Sequence, residues 1–190
     1  AAVAAGTLLL AGCASTSQPA EQPAVEQTHE SDAAPARFAV LADGAVHIHD
    51  AHTLEAVARI TAPDALRLAS AGDGRHVLLV AADAVQILDL GAWTEDHGDH
   101  AHHHAQAPRL RDEAISSDRP THVVAHGGRL AIFGDGDGVV HELVLGSLAD
   151  GPTRTIDLGE PHHGVAVPIE SGATLVTQSH GQALPDTIRV

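Results

Sequence analysis

Residues Leu130–Leu145 read LAIFGDGDGVVHELVL. An unbroken apolar run ends in a Gly-Asp-Gly-Asp-Gly turn, and alternation resumes from Val139. Gly and Asp accept the backbone conformations of tight turns, while the flanking β-branched and aromatic residues suit strands, so the stretch reads as a β-hairpin. The same form occurs twice earlier, as Phe38–Asp50 (FAVLADGAVHIHD) and Val77–Asp89 (VLLVAADAVQILD). A further strand precedes the second and third copies, at Leu66–Ser70 and His122–His126, each followed by a glycine turn. A fourth unit opens at His163–Val167, turns at Ser171-Gly172 and continues through Thr174–Thr177. The runs Glu55–Ile60, Arg109–Ile115 and Arg154–Leu158 supply an outermost strand to the first three units.

A repeat of roughly 40 to 55 residues built from four strands is the signature of propeller blades. The expected fold is therefore all-β, a β-propeller of four-stranded blades occupying residues 38–190. It should hold most of blade one, complete blades two and three, and half of blade four. A small β-sandwich is the alternative. The chain starts without Met inside an apolar run and stops at Ile188-Arg189-Val190 in mid-pattern, so it is expected to be a piece of a longer protein with an incomplete propeller.

Residues 1–12, AAVAAGTLLLAG, are apolar and uncharged, and too short for the ~20 residues that a membrane-spanning helix needs. They read as the apolar part of a truncated signal peptide. Leu10-Ala11-Gly12-Cys13 has the form of a bacterial lipobox, which makes Cys13 the candidate lipidation site and the chain an extracytoplasmic lipoprotein held on the bacterial membrane. Residues 13–37 are rich in Ser, Pro, Ala, Glu and Gln and read as a disordered, lipid-anchored linker.

The formal net charge is −15, which argues against nucleic acid as a partner and suits a cation. There are 16 His against two Phe, one Trp and no Tyr. Neutral imidazole is a metal ligand near pH 7, and the single Cys cannot build a thiolate site alone. Between the third and fourth strands of blade two lies a His-rich loop, residues 96–104, containing His97, His100, His102, His103 and His104 with Asp96 and Asp99. Such tracts bind metals, and a flexible one exchanges them readily. His122 and His163 open the innermost strands of successive blades, where their imidazoles can approach one another on one face. Asp137 or Asp135, in the turn after the second strand of blade three, and His180 are further candidates for the same place. Three His and one carboxylate would make a tetrahedral zinc site. Which of His162 and His163 points inward is left open by the sequence. No nucleophile elbow, nucleotide-binding glycine loop or His-Glu-x-x-His motif points to an enzyme.

Three blocks resemble one family. They are Arg119–Gly128 (RPTHVVAHGG) with Phe133–Gly138 (FGDGDG), Gly91–His100 (GAWTEDHGDH), and Glu160–Val165 (EPHHGV). Together they are similar to the extracytoplasmic zinc metallochaperones of propeller fold, which serve zinc ABC transporters. The resemblance implies Zn(II) as cargo and the transporter's solute-binding protein as partner. It also implies one ordered site, onto which His122, Asp137 and His163 map, plus a mobile His-rich loop with His97, His100, His102, His103 and His104. The lipobox departs from a freely diffusing chaperone and suggests a tethered one.

Overall fold

The computed structural model describes residues 28–180 and 184–190. The expected signal segment, Cys13 and most of the expected linker lie outside the described residues.

The first strand among the described residues is β1 (His29–Ser31). Blade one follows as β2 (Arg37–Ala42), β3 (Ala45–Asp50) and β4 (Ala56–Thr61), an antiparallel sheet in that order. Blade two has β5 (Arg67–Ser70), β6 (His76–Val80) and β7 (Ala84–Asp89). An excursion, β8 (Ala92–Asp96) and β9 (Ala101–Ala105), precedes the outer strand β10 (Arg109–Ser116). Blade three runs β11 (Pro120–His126), β12 (Arg129–Gly134), β13 (Val139–Val144) and β14 (Arg154–Asp157), with a short 3-10 turn at Leu145–Asp150 before its last strand. Blade four has β15 (Ala166–Pro168), β16 (Thr174–Gln178) and β17 (Thr187–Arg189). These are the propeller blades expected from the repeat, each antiparallel.

Hairpin turns follow the residues that permit them. Asp43 and Gly44 have φ of 50° and 67°, and Gly127 and Gly128 have φ of 57° and 73°. Two successive left-handed residues make the tight turn whose twist matches that of paired strands, which is why Asp-Gly and Gly-Gly stand there.

The blades stack face to face, and strand alternation decides which neighbour each side chain meets. In β6, Leu78 and Val80 pack towards blade three beside Leu130, Ile132 and Leu143, while Leu79 packs towards blade one with Val46 and Ile48. In β12, Ala131 and Phe133 turn instead to blade four, meeting Val140, Ala166 and Val176. A central strand is thus apolar on both faces, and this explains its continuous rather than alternating hydrophobic pattern. Phe133 and Ile132 are completely buried; removing either side chain to Ala should cost about 2–5 kcal/mol. Polar ties cross the same seams. Arg129 donates to the carbonyls of Ile169 and Ala173 at 2.8 and 2.7 Å, and also pairs with the buried Glu142.

Candidate metal site

The ordered candidate lies where blades three and four meet. At the start of β11, pairing with β12 slips between Pro120 and His122, a bulge of the kind that re-aims a side chain. His122 is thereby directed at His163, in the segment leading into β15. Their Nε2 atoms are 3.4 Å apart and the ring centroids 5.0 Å. Two nitrogens bound at 2.0–2.1 Å to one tetrahedral zinc lie about 3.4 Å apart, so this pair already stands at ligand spacing.

His163 is held from behind. Its Nδ1–H donates to Oδ2 of Asp135 at 2.7 Å, since a carboxylate can only accept. Asp135 is 9% exposed and receives the Thr121 hydroxyl and, at 3.3 Å, the Gly164 N–H. Three donors therefore fix the carboxylate, and the carboxylate selects the neutral tautomer of His163 that carries its proton on Nδ1 and leaves Nε2 as the lone-pair nitrogen. Metal-binding histidines are commonly braced this way. Gly164 is required by close packing: a Cβ there would lie 2.3 Å from Cζ of the buried Phe133 ring.

His162 and His163 divide their tasks. His162 is 4% exposed, lies edge-on to Phe133, and has its two ring nitrogens against the carbonyls of Glu160 and Thr177 at 2.8 and 3.0 Å. It is a packing residue, and His163, with a half-exposed side chain, faces outward to His122. Asp137 does not join the pair. Its oxygens accept the backbone N–H groups of Val139 and Asp118 at 3.0 and 3.3 Å and close the turn. Asp135, two residues earlier in the same Asp-Gly-Asp-Gly run, takes the place beside His163. His180 pairs with Asp186 instead, and His126 Nδ1–H donates to the Pro168 carbonyl at 2.9 Å.

The second candidate differs from the flexible loop expected at 96–104. It is a twisted hairpin: β8 pairs with β9 from Ala92↔Ala105 to Asp96↔Ala101, and His97 N–H donates to the His100 carbonyl across the turn. Strand periodicity is the reason. His100, His102 and His104 recur every second residue, as do Trp93 and Glu95 on the facing strand, so these side chains gather on one face. Ring centroids of His97, His100 and His102 are 5.0 to 5.3 Å apart pairwise. His103 points to the other face, where it meets the Thr94 hydroxyl at 3.0 Å. Of the five expected loop ligands, the fold gathers His97, His100, His102 and His104 and excludes His103.

Carboxylates line the same face. His100 Nδ1 lies 2.7 Å from Asp99, His104 Nε2 lies 3.5 Å from Glu95, and His102 Nδ1 lies 2.7 Å from Glu30. Glu30 belongs to β1, which forms the third strand of this sheet within a stretch expected to be linker. The His102 hydrogen bond, with the nearby imidazoles, holds the Glu30 carboxyl below its ordinary range. Period-two spacing could have revealed Glu95, but nothing local could have revealed Glu30, which reaches His102 from 72 positions away.

The hairpin is anchored at its base. Trp93 lies between the Arg75 guanidinium, 3.8 Å from its ring, and His104, stacked at 4.9 Å. Arg75 in turn binds Asp89, at 2.9 Å through Nε and 2.5 Å through Nη2. Burial pushes the Asp89 carboxyl up, but Arg75 and the Gly91 N–H pull it below the ordinary range. Arg37 adds a second anchor by donating to the carbonyls of Leu90 and Gln106 at 2.6 and 2.7 Å. Among the described residues, no group of three or more His, Cys, Asp or Glu side chains is arranged so that it could hold a metal ion.

No protein-family model matches the chain. The zinc chaperone AztD of Citrobacter koseri is 31% identical over 96 residues, which cover 50% of this chain and 23% of that protein. A crystal structure of Citrobacter koseri AztD superposes with a TM-score of 0.64 at 25% identity, over 73% of this chain and 38% of the other. Apo AztD from the same organism gives 0.68 at 22% identity, over 87% and 44%. This chain therefore spans less than half the length of the proteins it matches. In sequence and in blade architecture, the chain resembles the propeller-fold zinc chaperones.

Proposed function

We propose that this chain captures Zn(II) as cargo outside the cytoplasm and hands it to the solute-binding protein of a zinc ABC transporter. The carrying observation is the His122–His163 pair at ligand spacing, with Asp135 bracing His163. Two neutral imidazoles suit Zn(II), and a third and fourth ligand can come from solvent, the partner, or chain beyond the described residues. The half-exposed position suits a site that must release its ion. The His97, His100, His102 and His104 hairpin is a second, more open place for the ion to land. Similarity to a protein named as a zinc chaperone supports this reading over an enzyme. Cys13 as a lipid anchor on the bacterial membrane belongs to the same proposal.

The test is competition for zinc against a chromophoric chelator, followed by stopped-flow transfer to a zinc-free solute-binding protein. The double variant His122→Ala/His163→Ala should lose the tightest site, while deletion of 96–104 should slow transfer more than it weakens that site. Zinc binding that survives the double variant unchanged overturns the reading.

A further inference from the structure

β1 is only three residues long and adds to the open edge of β9, with His29↔Ala105, Glu30↔His104 and Ser31↔His103 in register. The ladder hydrogen bonds of so short a strand barely offset the entropy lost in ordering it. What distinguishes β1 is its side-chain contact. Glu30 accepts from His102 Nδ1–H at 2.7 Å, which leaves His102 Nε2 as the nitrogen open to a metal. Asp135 makes the same contact with His163. Three imidazoles on one tetrahedral zinc would have ring centroids about 5.2 Å apart, from Zn–N bonds of 2.0–2.1 Å. His97, His100 and His102 stand at 5.3, 5.2 and 5.0 Å. The rings thus stand at the spacing a loaded hairpin needs, and loading must still turn their nitrogens onto one point.

We propose that β1 is a metal-dependent clasp, in which Glu30 is a positioning residue for His102 and docking of the strand is coupled to zinc loading of the hairpin. The inference rests on the hairpin taking Zn(II), as proposed above. Coupling is reciprocal: if the docked strand raises zinc affinity, zinc raises strand occupancy by the same factor. Loading then fixes where the chain preceding residue 28 leaves the domain, so the state of the cargo is expressed at the amino-terminal side.

The experiment is amide hydrogen exchange with and without Zn(II) on the full chain, read at residues 29–31, beside zinc titration of the hairpin in a His122→Ala/His163→Ala background. In the wild type, zinc should slow exchange in β1. Glu30→Ala should abolish that slowing and weaken hairpin affinity about tenfold or more, the usual consequence of removing a histidine's outer partner. Glu30→Gln, whose amide oxygen still accepts from Nδ1–H, should restore most of both. His29→Ala, whose side chain lies on the opposite face of the ribbon, should change neither. Exchange in β1 that ignores zinc, or a Glu30→Ala affinity equal to wild type, overturns the clasp and leaves the hairpin site standing. If His97→Ala/His100→Ala/His102→Ala also fails to lower zinc affinity, the hairpin reading falls with it.

Discussion

Asp135→Asn should cripple the proposed zinc site at His122 and His163 without disturbing the fold. The Asp135 carboxylate accepts Thr121 and Gly164 on one oxygen and His163 Nδ1–H on the other. In an Asn, one of these oxygens becomes NH2. If the remaining oxygen keeps Thr121 and Gly164, the amide presents donors to Nδ1, and the His163 proton must move to Nε2, where it blocks the metal. If the amide flips, two hydrogen bonds worth about 1 kcal/mol each are lost. Either route costs about 1.4–2.7 kcal/mol, or 10- to 100-fold in affinity, matching the usual cost of losing a carboxylate behind a metal-binding histidine. Competition titration against a zinc chelator near neutral pH reads this directly. Asp137→Asn is the internal control, because the Asp137 oxygens accept the backbone N–H groups of Val139 and Asp118, whereas Asp135 holds His163. An Asp135→Asn affinity equal to wild type, or an equal loss in Asp137→Asn, refutes the reasoning.

Gly164→Ala should push its Cβ into the immovable Phe133 ring, destabilise the fold by about 1–3 kcal/mol and shift His163 off its partner; a variant with unchanged melting and zinc affinity would contradict this. Arg75→Leu should leave the Asp89 carboxylate short of its main partner and cost about 2 kcal/mol by denaturant unfolding, and it should alter the emission of Trp93, the single tryptophan. Unaltered emission would mean the Arg75–Trp93 stack is not maintained. Burial holds the His141 imidazole below its ordinary value of 6.5, so the folded state favours the neutral form. That contribution to stability is complete above the unfolded value near 6.5 and is lost as pH falls below it. Melting temperature from about pH 7.5 to about 5.5 should therefore fall more steeply for wild type than for His141→Gln, and equal slopes would refute the assignment.

Blade architecture was legible because it rests on local rules: turn residues at fixed places, and apolar runs where a strand is covered on both faces. The outer strands Glu55–Ile60, Arg109–Ile115 and Arg154–Leu158 fell within a residue or two of β4, β10 and β14 for the same reason. The histidine tract was legible as chemistry but not as shape. Its composition suggested a loop, whereas the two-residue spacing of His100, His102 and His104 specified a strand face and set His103 apart. Choices between near neighbours depended on packing that no local pattern encodes. Phe133 and two carbonyls claim His162 and leave His163 to face His122; backbone N–H groups claim Asp137 and leave Asp135 to brace it. Glu30 was out of reach because its role depends on pairing with β9, a long-range event.

Zinc K-edge X-ray absorption on the full chain loaded with one equivalent of Zn(II) tests the central claim most directly. The account predicts a four-coordinate ion with Zn–N distances of about 2.0–2.1 Å and imidazole scattering that diminishes in His122→Ala/His163→Ala. A six-coordinate, all-oxygen spectrum, or an imidazole signal indifferent to the loss of both histidines, would contradict it.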